Sequence, residues 1–263
     1  MTVDELSPGI SFIGTGRLAW SLIPACQAAG VRVEGIYGRS ASRATTYAKA
    51  YNLSRSGGLP ARIPSRLVIL CVADQAISEV AKSLALDEGQ MICHCSGSVS
   101  LDRLGDHPLR GVLYPMQAFT DKKVVNFQTS TVPIFIEGST QAVVGDLHQL
   151  ASRLSQRVQV LPSEQRRTLH LGAVLACNFT NLLFGYAAKQ VKGVGLEAYE
   201  SLIRHQLDQA LALGPASAQT GPAHRGDVET LRTHLKLLED QPDLQQLYTM
   251  LSRMINPDLP DPF

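Results

Sequence analysis

Gly14, Gly16 and Ala19 form a G-x-G-x-x-A series between the apolar run Ile10–Ile13 and a stretch of helical character, residues 20–29, that ends at Gly30. Strand, glycine turn and helix in that order make the setting in which such a series binds the pyrophosphate of a dinucleotide. Gly14 permits the tight turn out of the strand, Gly16 bares the backbone to the phosphates, and Ala19 keeps the helix close to the strand. Thr15, Arg17 and Leu18 fill the intervening positions, and the helix start offers unpaired N–H groups and a partial positive charge. Cofactor contacts are therefore expected from Gly14 through Ala19.

A second strand, residues 31–37, is alternating and β-branched and runs into Gly38. The position just beyond it selects between the two nicotinamide dinucleotides, because an acidic residue there binds the ribose hydroxyls of NAD. Arg39 and Ser40 stand there instead, with Arg43 one helical turn further on. A guanidinium matches phosphate oxygens with paired donors. The expected cofactor is thus NADP, with Arg39 and Ser40 on its 2′-phosphate.

Two later strand ends carry polar loops. Residues 67–73 read as a buried parallel strand followed by Asp74, and residues 90–95 as another followed by Ser96, Gly97 and Ser98. Ligands of doubly wound sheets sit outside the carboxyl ends of strands. Ala73, Asp74, Ser96 and Gly97 are accordingly expected to face the nicotinamide end of the cofactor, with Ser96 also a candidate catalytic group. Asp74 and Ser100 can equally serve as helix caps.

Polar residues also punctuate an apolar helical stretch, residues 163–192. His170, Asn178 and Asn181 share roughly one face of it at 3.6 residues per turn. Buried polar groups without partners cost about 1–3 kcal/mol each, so something must satisfy them. A substrate and the cofactor amide held between two domains would do so, as would side chains across an interface. His170 is the candidate proton donor because imidazole titrates near neutrality. Asn178 is a second catalytic candidate, and Asn181 a substrate contact. Residues 219–227 form a turn-rich loop in which Arg225 offers a fork of donors to a substrate carboxylate, while Asp227 can cap the next helix. Cys93-His94-Cys95 invites a metal reading, but strand alternation sends His94 away from both cysteines and no second ligand pair follows, so no metal is expected. The five cysteines, odd in number, read as reduced thiols of the core.

The elements that must position these residues fall into two halves. Residues 54–65 read as a loop, 75–86 as a helix, 111–114 and 131–137 as strands, 121–130 as a polar connection, 139–155 as an amphipathic helix and 157–161 as a last strand. Beyond Pro162 the pattern is helical, with helices over 163–192, 196–213, 227–238 and 244–254. The expected architecture is α/β, a doubly wound parallel sheet in residues 1–161 followed by an all-helical domain in residues 162–263. The 263 residues are 44% hydrophobic and 18% charged with net charge +1, which fits globular domains and gives no electrostatic case for nucleic acid. No apolar run is expected to reach the length of a membrane span, and residues 1–9, acidic and polar, are unlike a signal peptide, so a cytoplasmic setting is expected.

The segments GTGRLAW, YGRS, HCSGS, LYPMQAF, HLGAVLACNFTNLL and QTGPAHRGD together resemble a family of bacterial Rossmann-like proteins with a C-terminal domain of unknown function. That family is related to the pyrroline-5-carboxylate reductases, the deazaflavin-dependent NADP reductases and the 6-phosphogluconate dehydrogenase group. The resemblance covers nearly the whole chain and implies an NADP-dependent oxidoreductase whose helical domain dimerises and closes the active site. β-Hydroxyacid dehydrogenases place a lysine one turn before an asparagine on the long helix. Here Val174 and Cys177 occupy the positions four before Asn178 and Asn181. The departure favours reduction of a small, polar, carboxylate-bearing imine or carbonyl, either with His170 in the lysine's place or with no side-chain acid at all, as when an already protonated imine accepts hydride. The alternative is a non-catalytic NADPH-binding sensor or interaction protein.

Overall fold

The computed structural model describes residues 9–120, 124–127 and 132–263. The expected polar connection over 121–130, the strand start at 131 and the N-terminal residues 1–8 lie wholly or partly outside the described residues. The chain divides into two compact units, Met1–Thr180 and Asn181–Phe263.

The first unit is built on one eight-stranded sheet. Its strands are β1 (Ile10–Ile13), β2 (Val33–Tyr37), β3 (Arg55–Gly57), β4 (Leu67–Leu70), β5 (Met91–His94), β6 (Arg110–Pro115), β7 (Ile134–Gly138) and β8 (Val158–Val160). They lie in the order β3-β2-β1-β4-β5-β6-β7-β8. β1 through β6 run parallel; β7 is antiparallel to β6, and β8 parallel to β7. The sheet is therefore mostly, not wholly, parallel. β3 corrects the expectation of a loop over 54–65. Its three exposed or half-buried residues, Arg-Ser-Gly, carry no apolar pattern, and pairing with β2 alone makes them a strand.

Alternation along the strands feeds two cores. Ile10, Phe12, Ile69, Cys93 and Leu113 pack against α1 (Arg17–Ala28), α2 (Ala41–Tyr51) and α4 (Gln141–Leu154). Ile13, Leu70, Ile92, Val112 and Tyr114 pack on the other face with α3 (Ile77–Ser83) and the short turn of helix Leu101–Leu104. Burying both faces is what makes these strands read as near-continuous apolar runs. The order of connection reverses between β1 and β4, so their carboxyl ends flank the crevice where such sheets bind ligands.

The unit does not stop with β8, where the sequence places its boundary. α5 (Ser163–Ala173) remains part of it, tied down by a fully buried arginine. Arg166 pairs with Glu137 on β7, donates to the Val99 carbonyl and to Ser163 Oγ (3.2 Å), while Ser163 Oγ donates to Glu137 (2.7 Å) and accepts from the Leu101 N–H (3.0 Å). The expected single helix over 163–192 is interrupted by a π-helical segment, Val174–Phe179, before α6 (Thr180–Gln190). Widening the helix in this way changes which downstream side chains share a face, and such segments are frequent at functional sites.

The second unit holds α7 (Glu200–Leu213), α8 (Pro222–Arg225), α9 (Val228–Leu237) and α10 (Pro242–Ile255). A small core of Ala223, Leu231, Leu259 and Phe263 joins the last three to the C-terminal tail, and Arg232 holds the Phe263 carbonyl. α8 is a further departure, a turn of helix inside the expected turn-rich loop over 219–227.

Three expectations, about membrane-span length, the asparagines and the cysteines, are corrected. The helical run Ser163–Gln190, 28 residues, is long and apolar enough to cross a bilayer by length and composition, and its most apolar stretch is not buried within the chain. Asn178 and Asn181 are likewise exposed, so the chain itself imposes no desolvation cost on them. Four cysteines are buried thiols, whereas Cys177 is exposed. Among the described residues no group of three or more His, Cys, Asp or Glu is placed to hold a metal ion.

Candidate active site

The glycine turn is held by its own backbone. Gly14 adopts φ +113°, and a Cβ there would come within 2.2 Å of the Cys71 carbonyl oxygen at the end of β4. Only glycine satisfies both constraints. The Gly14 N–H donates to the Tyr37 carbonyl at 2.7 Å, closing the turn on β2. Arg43 Nη2 donates to the Thr15 carbonyl (2.7 Å), and the Tyr47 hydroxyl reaches the Thr15 (3.0 Å) and Gly16 (3.2 Å) carbonyls. Arg43, expected near a 2′-phosphate, thus braces the turn. Ala19 is fully buried against the sheet, as its small side chain allows.

Gly16 differs from Gly14. A Cβ there would meet only the Cys71 carbonyl, at an ordinary 3.8 Å, so the protein's own packing leaves room for one. Gly16 is the N-cap of α1; no side chain caps it and no acidic residue sits in the first turn. A 12-residue helix therefore presents its N-terminus to an open cleft of about 310 Å³. The cleft is lined by Gly16, Arg17, Leu18, Ala73, Asp74 and Ser96, together with Leu70, Cys71, Val72 and Cys95. Six of the expected cofactor positions thus meet in one place. A bare backbone, an uncapped helix N-terminus and a cleft at the β1–β4 switch point fit a dinucleotide pyrophosphate. Arg39 is exposed and Ser40 half-buried just past β2; Ser40 caps α2 by accepting from the Arg43 N–H at 3.3 Å.

The loops after β4 and β5 are bonded to each other. Asp74 does not cap a helix; its Oδ2 accepts from the Ser98 hydroxyl at 2.5 Å. Ser96 Oγ accepts from the Ser98 and Val99 N–H groups, each at 3.1 Å, so this hydroxyl shapes the loop. Ser100 does cap the turn Leu101–Leu104. Beneath them His94 is buried, its Nδ1 accepting from the Ser96 N–H at 3.2 Å. Burial, with the Arg166 charge nearby, pushes its imidazole down to about 4, so His94 is neutral.

His170 lies one helical turn beyond Arg166 on the same face of α5 and stands against this loop. Its Nδ1 is 3.1 Å from the Tyr114 hydroxyl, with the two rings edge to face at 6.1 Å. A Cβ on Gly97 would approach His170 Nδ1 and Tyr114 Cζ to 2.7 Å and Tyr114 Oη to 2.9 Å. Gly97, expected to line the cofactor, is thus also the bare stretch of backbone on which this pair rests. Tyr114 was not singled out from the sequence. Its only signal there is its place at the end of a short strand, inside the LYPMQAF segment. Arg225 is exposed in the second unit, 3.9 Å from Asp227, which caps α9.

Comparison with known proteins agrees with a dinucleotide-binding fold. Residues 9–96 match the family described as NADP oxidoreductase, coenzyme F420-dependent, and residues 132–255 match a domain of unknown function, DUF2520. Bacteroides fragilis BF3122, to which NADP oxidoreductase activity is assigned by name, is 34% identical over 94% of this chain and 97% of its own, with a TM-score of 0.86. TM1727 from Thermotoga maritima shares the fold at 24% identity, covering 94% of this chain and 97% of its own (TM-score 0.70). An imine reductase from a Pseudomonas species shares it at 19%, covering 94% and 93% (TM-score 0.63). No curated protein matches the sequence. At that identity over nearly the full length of both chains, the protein belongs to the family of NADP-dependent oxidoreductases that includes BF3122.

Proposed function

We propose that this chain reduces a small, carboxylate-bearing imine or carbonyl compound, with NADPH held over the Gly14–Ala19 turn and the proton supplied by His170. The observation that carries this reading is the seat of His170, a titratable side chain packed on Gly97 in the loop that borders the cleft. NADPH, when bound, supplies the hydride.

The chain's own residues do the rest. The α1 N-terminus and the bare Gly16 backbone bind the pyrophosphate, and Arg39 with Ser40 receives the 2′-phosphate. Ala73, Asp74, Ser96 and Gly97 border the reacting end. The charged form of His170 donates a proton to the nitrogen or oxygen that gains electron density. Asn178 and Asn181 offer amide groups to the substrate, and Arg225 pairs with its carboxylate. The fold is one on which the Pseudomonas protein reduces imines, and the absence of a lysine before Asn178 fits that chemistry better than β-hydroxyacid oxidation.

We further propose a homodimer formed through the helical region. Leu171, Leu175, Phe179 and Leu182 recur at helical spacing and are all exposed in the single chain. An apolar helix face of this length is stable in water only when covered.

The reading is tested by titrating Trp20, the sole tryptophan, which follows the glycine turn. NADPH quenches its fluorescence at lower concentration than NADH, and Arg39→Ala removes that preference. His170→Ala lowers turnover by about a hundredfold or more, the loss typical of a general acid, with NADPH affinity intact. Wild-type turnover in His170→Ala refutes the proton-donor assignment; equal affinity for both dinucleotides refutes the 2′-phosphate assignment.

A further inference from the structure

We propose that Tyr114 is the positioning residue for His170, engaging Nδ1 of the imidazole in every charge state so that Nε2 is the nitrogen through which the proton is exchanged. The inference rests on the reading of His170 as proton donor and adds a residue and an atom to it.

The geometry has three parts. Tyr114 is the penultimate residue of β6, and alternation turns its side chain to the sheet face that also receives α5. The Tyr114 hydroxyl lies 3.1 Å from His170 Nδ1. The third part is Gly97, whose missing side chain leaves no gap: any Cβ would overlap both the phenol and Nδ1. The imidazole is therefore confined on its Nδ1 side by a hydroxyl and a backbone segment, and a substrate atom has no room there. Arg166, one turn earlier and fully buried, fixes the rotation of α5 that brings His170 to this seat.

A hydroxyl suits the task because it both donates and accepts. It accepts from Nδ1–H when the ring is charged and donates to the Nδ1 lone pair when that nitrogen is bare. In the proton-transfer step the Nε2–H bond breaks and its electron pair stays on Nε2. The proton forms the new N–H or O–H bond of the reduced substrate. The ring is left neutral with its remaining proton on Nδ1, donated to Tyr114 Oη, and Nε2 is reprotonated from water. A carboxylate in the tyrosine's place would stabilise the charged ring and hold back its proton. Burial pushes the Tyr114 phenol above its usual range, so it stays an uncharged partner throughout.

The test is nitrogen NMR of the histidine rings in the cofactor-free protein, joined to steady-state kinetics. In the wild type, His170 Nδ1 shows the shift of a hydrogen-bonded nitrogen. In Tyr114→Phe, which keeps the ring and loses one oxygen, that signature disappears, kcat falls roughly tenfold, equivalent to one hydrogen bond, and NADPH affinity is unchanged. A wild-type spectrum with an unbonded Nδ1 overturns the proposal without any variant. So does a Tyr114→Phe enzyme with unchanged Nδ1 shift, or with a lost signature and unchanged kcat. Failure of the His170 assignment itself reads differently: His170→Ala then keeps wild-type turnover, whatever Tyr114 does to the ring.

Discussion

At the scale of single residues, the site contains two histidines with opposite work. His94 lies beneath the loop that borders the cleft and serves as an acceptor for the Ser96 N–H. Its folded-state value of about 4 lies below the ordinary histidine value of 6.5. The unfolded chain therefore binds a proton first as pH falls, and stability declines from about pH 6.5 towards pH 4, where the loss is complete. A shift of this size corresponds to about 3 kcal/mol. His94→Asn keeps an acceptor near Nδ1 and removes the titration. Its melting temperature is expected to change less than the wild type's between pH 7 and pH 4, and parallel curves for the two proteins would contradict the assignment. His170 is half-buried against Gly97 of the same loop, and proton exchange is the role proposed for it above.

At the scale of elements, one ion pair decides where α5 sits. Arg166 and Glu137, with Ser163, join the first turn of α5 to β7 and to the backbone at Val99 and Leu101. The same residues hold the loop after β5 and set the face on which His170 lies. Removing one partner of a buried pair strands the other charge and costs about 3–5 kcal/mol. Arg166→Leu is expected to lower the urea midpoint accordingly with an unchanged slope. The double variant Arg166→Leu/Glu137→Leu regains much of that loss, because no carboxylate is left unpaired. If the double variant is as unstable as the single one, the cost comes from lost packing and not from the stranded charge. A helix N-terminus without a cap and a glycine turn without Cβ atoms are the other element-scale devices, and both serve the cleft.

At the scale of the whole molecule, the exposed apolar face of the long helical run is the feature a single chain leaves unanswered. Leu171, Leu175, Phe179 and Leu182 carry no charge and are more than half exposed. Light scattering on the purified protein is expected to give twice the chain mass. Leu175→Glu with Phe179→Glu is expected to give a folded monomer, since both side chains are exposed within one chain. A monomeric wild type with the same face open, or partition of the protein into lipid vesicles, would reject the dimer.

Much of the site was legible in the sequence because local sterics write themselves into local residues. A tight turn at a strand end demands Gly14, a close-packed helix demands Ala19, and Arg39 stands exposed just past β2, where the sequence puts it. The parallel core is equally legible, since strands buried on both faces must be apolar throughout. Other features were decided only by tertiary structure. β3 exists because β2 offers it an edge, and β7 reverses direction without any mark in its own residues. Asn178 and Asn181 look buried from their neighbours and are exposed in the fold. Tyr114 and His170, 56 positions apart, meet because a buried arginine rotates one helix onto the end of one strand. Periodicity describes what an element does along its own axis; which elements meet, and through which atoms, depends on packing between residues distant in the chain.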